Sequence, residues 1–133
     1  MTAEEERNLE LAKKYHELYN TDIDRFVPEC YAPDFEVVGP GIASFSGYDT
    51  FIRVEKEILK RRPERKMRVV EFFPSGDTVV VEGVGFVAFL KCRDGKIIQD
   101  RTHVTLSLEE WKRRQEDPSV AQSVEEWKRQ QAP

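Results

Sequence analysis

MRVVEFFPSGDTVVVEGVGFVAFLKCRDGKIIQDRTHVTLSL, residues Met67 to Leu108, decides the fold. Three runs rich in Val, Ile, Phe and Thr are separated by two turn signals, Pro74-Ser75-Gly76-Asp77 and Arg93-Asp94-Gly95. Such runs punctuated by Gly and Asp predict a β-meander. The middle run, Thr78 to Leu90, carries apolar residues on both alternating faces. Val80, Val84, Phe86, Ala88 and Leu90 fall on one, and Val79, Val81, Val87 and Phe89 on the other. A strand apolar on both sides has to be covered on both. One cover is expected from the rest of the chain, the other from a partner chain or a ligand.

The residues before the meander supply helices. Thr2 and Glu5 have the spacing of a capping box, and Leu11, Ala12, Tyr15, Leu18 and Tyr19 recur at helical spacing. Asn20-Thr21-Asp22 ends that helix. A shorter one is expected over Ile23 to Tyr31, with Phe26, Val27, Cys30 and Tyr31 inward. Phe35 to Val38 reads as a short strand ended by Gly39-Pro40-Gly41, followed by a loop through Ser44 and Ser46. Gly47 to Arg62 reads as a third helix, capped by Asp49 and stopped by Pro63, with Phe51, Ile52, Glu55, Ile58 and Leu59 on its inner side. After Leu108 the alternation ceases. Glu109 to Pro133 is polar, with Trp111, Val120, Val124 and Trp127 as sparse anchors. It predicts two short helices broken at Asp117-Pro118 that lie on the sheet or reach a neighbouring subunit. The order predicts an α+β fold, helices on one face of a curved mixed sheet.

Composition sets bounds. The 133 residues are 39% apolar and 35% charged, enough for one folded domain. A net charge of −4 gives no general reason to expect nucleic acid. Eight Lys/Arg against three Glu between Arg53 and Arg68 read either as a solvated helix end or as an anion or partner patch. Cys30 and Cys92 have no metal-ligand or disulfide-framework spacing, and no cofactor motif or metal cluster stands out. No apolar run approaches the roughly 20 residues of a membrane span, so a cytoplasmic location is the default expectation.

The last strand of the meander offers the chemistry. Ile98, Asp100, Thr102, Val104, Leu106 and Leu108 share one face, on which Asp100 is the single carboxylate. Facing a cavity, Asp100 would be desolvated and suited to acid–base work; near the hairpin, it would be solvated. Arg101 and His103 fall on the opposite face, where a dimer interface or solvent is expected, unless a bulge turns the imidazole inward. Tyr15 and Tyr19 either direct hydroxyls into a cavity or are buried with backbone partners. His16 reads as a boundary residue, and Glu82 as an outer-face residue or a pocket acid.

The chain resembles the nuclear transport factor 2-like superfamily, in particular its SnoaL-like and ketosteroid isomerase-like proteins. The resemblance rests on Tyr15-x-x-x-Tyr19-Asn20-x-Asp22, Cys30-Tyr31-Ala32-Pro33-Asp34-Phe35, Phe45-Ser46-Gly47-Tyr48-Asp49 and Gly76-Asp77-Thr78-Val79, in that order over about residues 5–108. It implies a cone-shaped curved sheet wrapped around the long N-terminal helix, three N-terminal helices, and an enclosed apolar pocket. It also implies pairing of two copies through the outer sheet face. In the ketosteroid isomerases an aspartate base moves a proton while a tyrosine and a protonated aspartate hold the oxyanion. By that resemblance Tyr15 takes the tyrosine's place, Gly39 stands where the base falls, and Val104, beside His103, stands where the protonated aspartate falls. The steroid-isomerase set is therefore incomplete.

The expectation is a cone domain over 1–108 with a helical extension over 109–133. It binds a small apolar molecule without a cofactor or metal, as a homodimer. Asp100, Tyr15 and His103 are the candidate catalytic groups, and Tyr19, Phe35, Val37, Phe51, Phe86 and Thr102 the candidate ligand contacts. Function divides between acid–base catalysis (isomerase, cyclase or dehydratase) and a non-catalytic binding or interaction module.

Overall fold

The computed structural model describes residues 1–39, 44–105, 108–116 and 118–131. Helix α1 (Ala3–Thr21) starts at the predicted capping box. The Glu5 amide donates to Thr2 Oγ1 at 3.1 Å and the Thr2 amide to Glu5 Oε1 at 2.9 Å. Its buried stripe is Asn8, Leu11, Ala12, Tyr15 and Leu18. Asp22 ends α1 and opens α2 (Ile23–Cys30), its carboxylate accepting from the Arg25 amide at 3.2 Å.

Strand β1 (Tyr31–Val38) begins four residues before the expected Phe35, so Tyr31 belongs to the sheet rather than to α2. The expected loop contains β2 (Phe45–Ser46), and Pro40–Ala43 lie outside the described residues. Helix α3 (Tyr48–Arg61) is preceded by Gly47 at φ +91, with no side-chain cap. Asp49 is thus a first-turn residue rather than the cap, favourable to the helix dipole.

The meander has four strands, not three: β3 (Val69–Ser75), β4 (Thr78–Gly83), β5 (Phe86–Arg93) and β6 (Lys96–Val104). The run read as one strand breaks at Val84-Gly85, a two-residue hairpin turn with Gly85 at φ +85. The turn exchanges the parity of the faces. Val79 and Val81 of β4 lie over Leu90 and Ala88 of β5, and all four are fully buried. Val80 and Phe89 form a pair on the outer face.

The six strands form one open sheet, β2-β1-β6-β5-β4-β3, antiparallel except for β1 beside β6. It is the cone-type α+β sheet, with α1 packed on β3 and β4 and α2 on β1 and β6. Asn20 fastens the end of α1 to the chain entering β3. Its Oδ1 accepts from the Met67 amide at 2.7 Å, and its Nδ2 donates to the Met67 carbonyl at 2.8 Å. His16 Nε2 lies 3.0 Å from the same carbonyl oxygen, which makes it a positioning contact at the helix edge.

A bulge shapes β6. Lys91 pairs with Gln99 while Cys92 pairs with Ile97, so Ile98 is the extra residue. Ile97, not the expected Ile98, fills the core, and Asp100 three residues later still points to the same side. The C-terminal segment forms α4 (Leu108–Gln115) and α5 (Pro118–Gln131), which pack on each other. Leu106 and Asp117 lie outside the described residues; Trp127 is exposed. Among the described residues no helix is long and apolar enough to cross a membrane, and no group of three or more His, Cys, Asp or Glu could hold a metal. Cys30 and Cys92 are buried free thiols.

Candidate functional site

Asp100 lies mid-sheet, between Val37 of the parallel strand β1 and Leu90 of β5, and is 5% exposed. Burying even a neutral polar group without a hydrogen bond costs on the order of 2–7 kcal/mol, and an ionised carboxylate costs far more. Two hydroxyls answer it: Tyr31 donates to Oδ2 at 2.5 Å, and Thr102 donates to Oδ1 at 2.6 Å. Burial pushes the Asp100 carboxyl above the usual range, and the Thr102 and Tyr31 hydrogen bonds pull it part of the way back.

Tyr31 is held from every side. Its ring lies edge-on to Phe26, Phe35 and Phe51 with centroids 4.9–5.4 Å away, and Tyr48 donates to its carbonyl at 2.6 Å. Tyr15, from α1, approaches with its ring centroid 6.5 Å from that of Tyr31. Burial, and then the charge of Asp100, hold the Tyr15 phenol well above its ordinary value, so it is a proton-bearing donor at physiological pH.

These groups face a cavity of about 350 Å³, within the roughly 300–1,000 Å³ of ligand sites. Tyr15, Tyr19 and Phe51 line it from the helices; Val37, Phe86, Asp100 and Thr102 line it from the sheet. Val84 and Val104, the latter 68% exposed, mark its mouth at the β4–β5 turn and the end of β6. Glu55 of α3 and Arg65 of the α3–β3 connection form an ion pair in the wall, and the Arg65 guanidinium lies 4.5 Å over the Tyr19 ring. Burial raises the Glu55 carboxyl, against the pull of Arg65.

Two candidates lie elsewhere. Phe35 does not line the cavity; it is buried one layer behind, stacked on Tyr48 at 5.9 Å. His103 faces the outer side, edge-on to Phe89 at 5.8 Å. The β5–β6 register runs unbroken from Lys91↔Gln99 to Phe86↔Val104, so the bulge comes too early in β6 to turn the imidazole inward. Glu82 is exposed and pairs with Val87, away from the cavity. Sequence reasoning placed Tyr31 inward but missed its bond to Asp100, 69 positions away, and missed the Glu55–Arg65 pair. No local spacing announces either contact.

A family model for the SnoaL-like domain matches residues 12–99, from α1 to the residue before Asp100. The chain belongs to the SnoaL-like family. No curated protein matches it. Among solved structures, this SnoaL-like domain is similar to a candidate SnoaL-like polyketide cyclase from Jannaschia sp. CCS1 (16% identity, 77% of this chain and 88% of that one, TM-score 0.68). A SnoaL-like protein of unknown function from Burkholderia thailandensis E264 is also similar (16%, 80% and 99%, 0.69). So is a protein with a ketosteroid isomerase-like fold from Catenulispora acidiphila DSM 44928, solved with trimethylamine (17%, 76% and 88%, 0.65). At these identities the likeness is one of fold.

In this SnoaL-like domain Gly39 has a steric reason to be glycine. Its φ is +152, and an added Cβ would come within 2.1 Å of the Thr102 carbonyl oxygen. An aspartate base at that position is incompatible with the present backbone. Gly39→Asp is therefore expected to cost roughly 1–3 kcal/mol of stability, measured by urea unfolding, and to create no new activity. A fully stable Gly39→Asp variant would show that β1 can shift to accept a side chain there.

Proposed function

We propose that this SnoaL-like domain binds a small, mostly apolar molecule bearing a carbonyl or enol oxygen and moves a proton on it, as an isomerase, cyclase or dehydratase does. The observation that carries the reading is a buried, hydrogen-bonded carboxylate, Asp100, in the wall of an otherwise largely apolar cavity. In the proposed step Asp100 removes a proton from the carbon next to the carbonyl. The C–H electron pair moves to form the enolate, and the Tyr15 phenol donates a hydrogen bond to its oxygen. Return of the proton at the same or another carbon completes an isomerisation; attack of the enolate carbon on a second carbonyl completes a cyclisation. A carboxyl raised above its ordinary range is, once ionised, a stronger base than a free aspartate. Tyr31 and Thr102 hold the carboxylate in position. The fold likeness to the candidate polyketide cyclase is compatible with a substrate of this kind.

The test follows α-proton exchange of β-tetralone in D2O by NMR, together with naphthol binding, in the wild type and in Asp100→Asn. Exchange accelerated by the wild type and lost in the variant supports the proposal. Naphthol binding without accelerated exchange would favour the second reading, a non-catalytic binder. That reading draws on the empty base position at Gly39 and on both Asp100 oxygens being already engaged.

We also propose that a second copy covers the outer sheet face. Phe73 pairs with Val80, Val80 with Phe89, and Phe89 with Arg101, whose guanidinium lies 4.7 Å over the Phe89 ring. This stripe crosses four strands on the side away from the helices, and Phe73 is exposed. Sedimentation equilibrium is expected to give a dimer that Phe73→Lys dissociates; a wild-type monomer at high protein concentration would refute the pairing.

A further inference from the structure

We propose that the ligand of this cavity carries a carboxylate, received by Arg65, and that Glu55 holds that guanidinium in place until the ligand arrives. The proposal rests on reading the cavity as a binding site and adds the charge class of its occupant. Arg65 is an unusual wall for an apolar cavity, its side chain only 14% exposed. Tyr19 fixes the plane of the guanidinium from one face, and Glu55 engages Nη2. The Nε–H is buried and has no hydrogen-bond partner. A guanidinium carries five N–H donors in a rigid fork matched to a carboxylate, and a buried donor left unpaired is costly. A ligand carboxylate in the cavity would give the guanidinium, whose residue lines the wall, a second charged partner beside Glu55.

Charge argues the same way. Lys66, beside Arg65, also lines the cavity and is exposed at its edge, so two cations face the single carboxylate of Glu55 there. A ligand ammonium could pair with Glu55 but would meet both cations. A ligand carboxylate meets Arg65 and Lys66, competes with Glu55 for the guanidinium, and is placed away from the Asp100 carboxylate by the proposed pose. Asp100 belongs to β6 and Arg65 to the α3–β3 connection, so the reacting carbonyl and the carboxylate would be separate groups of one ligand.

The experiment titrates the full chain with naphthoate and, separately, with naphthol. Wild type is expected to bind both. Arg65→Gln should weaken naphthoate by about ten- to a hundredfold and leave naphthol within about twofold. Glu55→Gln, which leaves the guanidinium only a neutral acceptor in place of its charged partner, should tighten naphthoate several-fold; a purely structural ion pair predicts no such gain. Naphthoate binding that is unchanged in Arg65→Gln, or untightened in Glu55→Gln, overturns the proposal. If Arg65→Gln does not fold, Glu55→Gln decides alone. If naphthol binds and naphthoate does not, this inference falls while the cavity reading stands; if neither binds, both fall.

Discussion

Asp100→Asn is expected to slow proton exchange by about 10²- to 10⁴-fold, the usual contribution of a positioned acid–base group, and to leave the protein at least as stable as the wild type at neutral pH. The two halves of that result share one cause. Burial raises the Asp100 carboxyl above its ordinary 3.8, so the fold favours the protonated form. The folded state then holds its proton where the unfolded chain has released it. The stability this group contributes is full below pH 3.8 and is lost as pH rises through the folded value. Asparagine carries no charge at any pH, so the variant escapes that loss. Its Oδ1 can accept from Tyr31, and its Nδ2 can donate to Thr102 once the hydroxyl turns. Unfolding curves at several pH values check this: wild type should lose stability relative to the variant on going from acid to neutral pH. A variant much less stable than wild type at neutral pH would mean that the charged carboxylate is part of the scaffold rather than a strained working group.

Phe26→Ala is expected to cost about 3–5 kcal/mol, a large share of the roughly 5–15 kcal/mol that holds a domain together. Phe26 is 1% exposed and its ring touches those of Tyr15, Tyr19, Tyr31 and Phe51, with centroids 5.4–5.7 Å apart. Its removal takes away apolar contact on four sides, and several edge-to-face pairs with it. The hole would open into the ligand cavity, because Phe26 lies in its wall. Tyr31 would lose its stop and Asp100 the hydroxyl that Tyr31 positions, so exchange activity should fall along with stability. Urea denaturation measures the first effect. A loss below about 1 kcal/mol would show that the cluster closes over the gap.

Much of the fold could be read along the chain because it rests on local rules. The Thr2–Glu5 box, the apolar stripe of α1, the Asp22 junction and the turns at Gly76 and Gly95 are each decided by residues a few positions apart. The errors came where the signal was ambiguous at short range. Val84-Gly85 sits inside a continuous apolar run, so its hairpin was hidden, and with it the exchange of faces between Val79 and Leu90. The bulge at Ile98 likewise changes parity without a Gly or Pro to mark it.

The sequence by itself determined a helix-then-meander α+β chain, a lone acid on an apolar face of the last strand and two phenols in the apolar stripe of α1, because periodicity and turn chemistry are written in neighbouring residues; that the acid is buried came from the structure. Only the tertiary structure decided that Tyr31 and Thr102 share Asp100, that Arg65 pairs with Glu55 over Tyr19, that His103 looks outward and that Gly39 admits no side chain. Those facts depend on register and packing between segments distant along the chain, where energy is set by which surfaces meet and how much water they exclude.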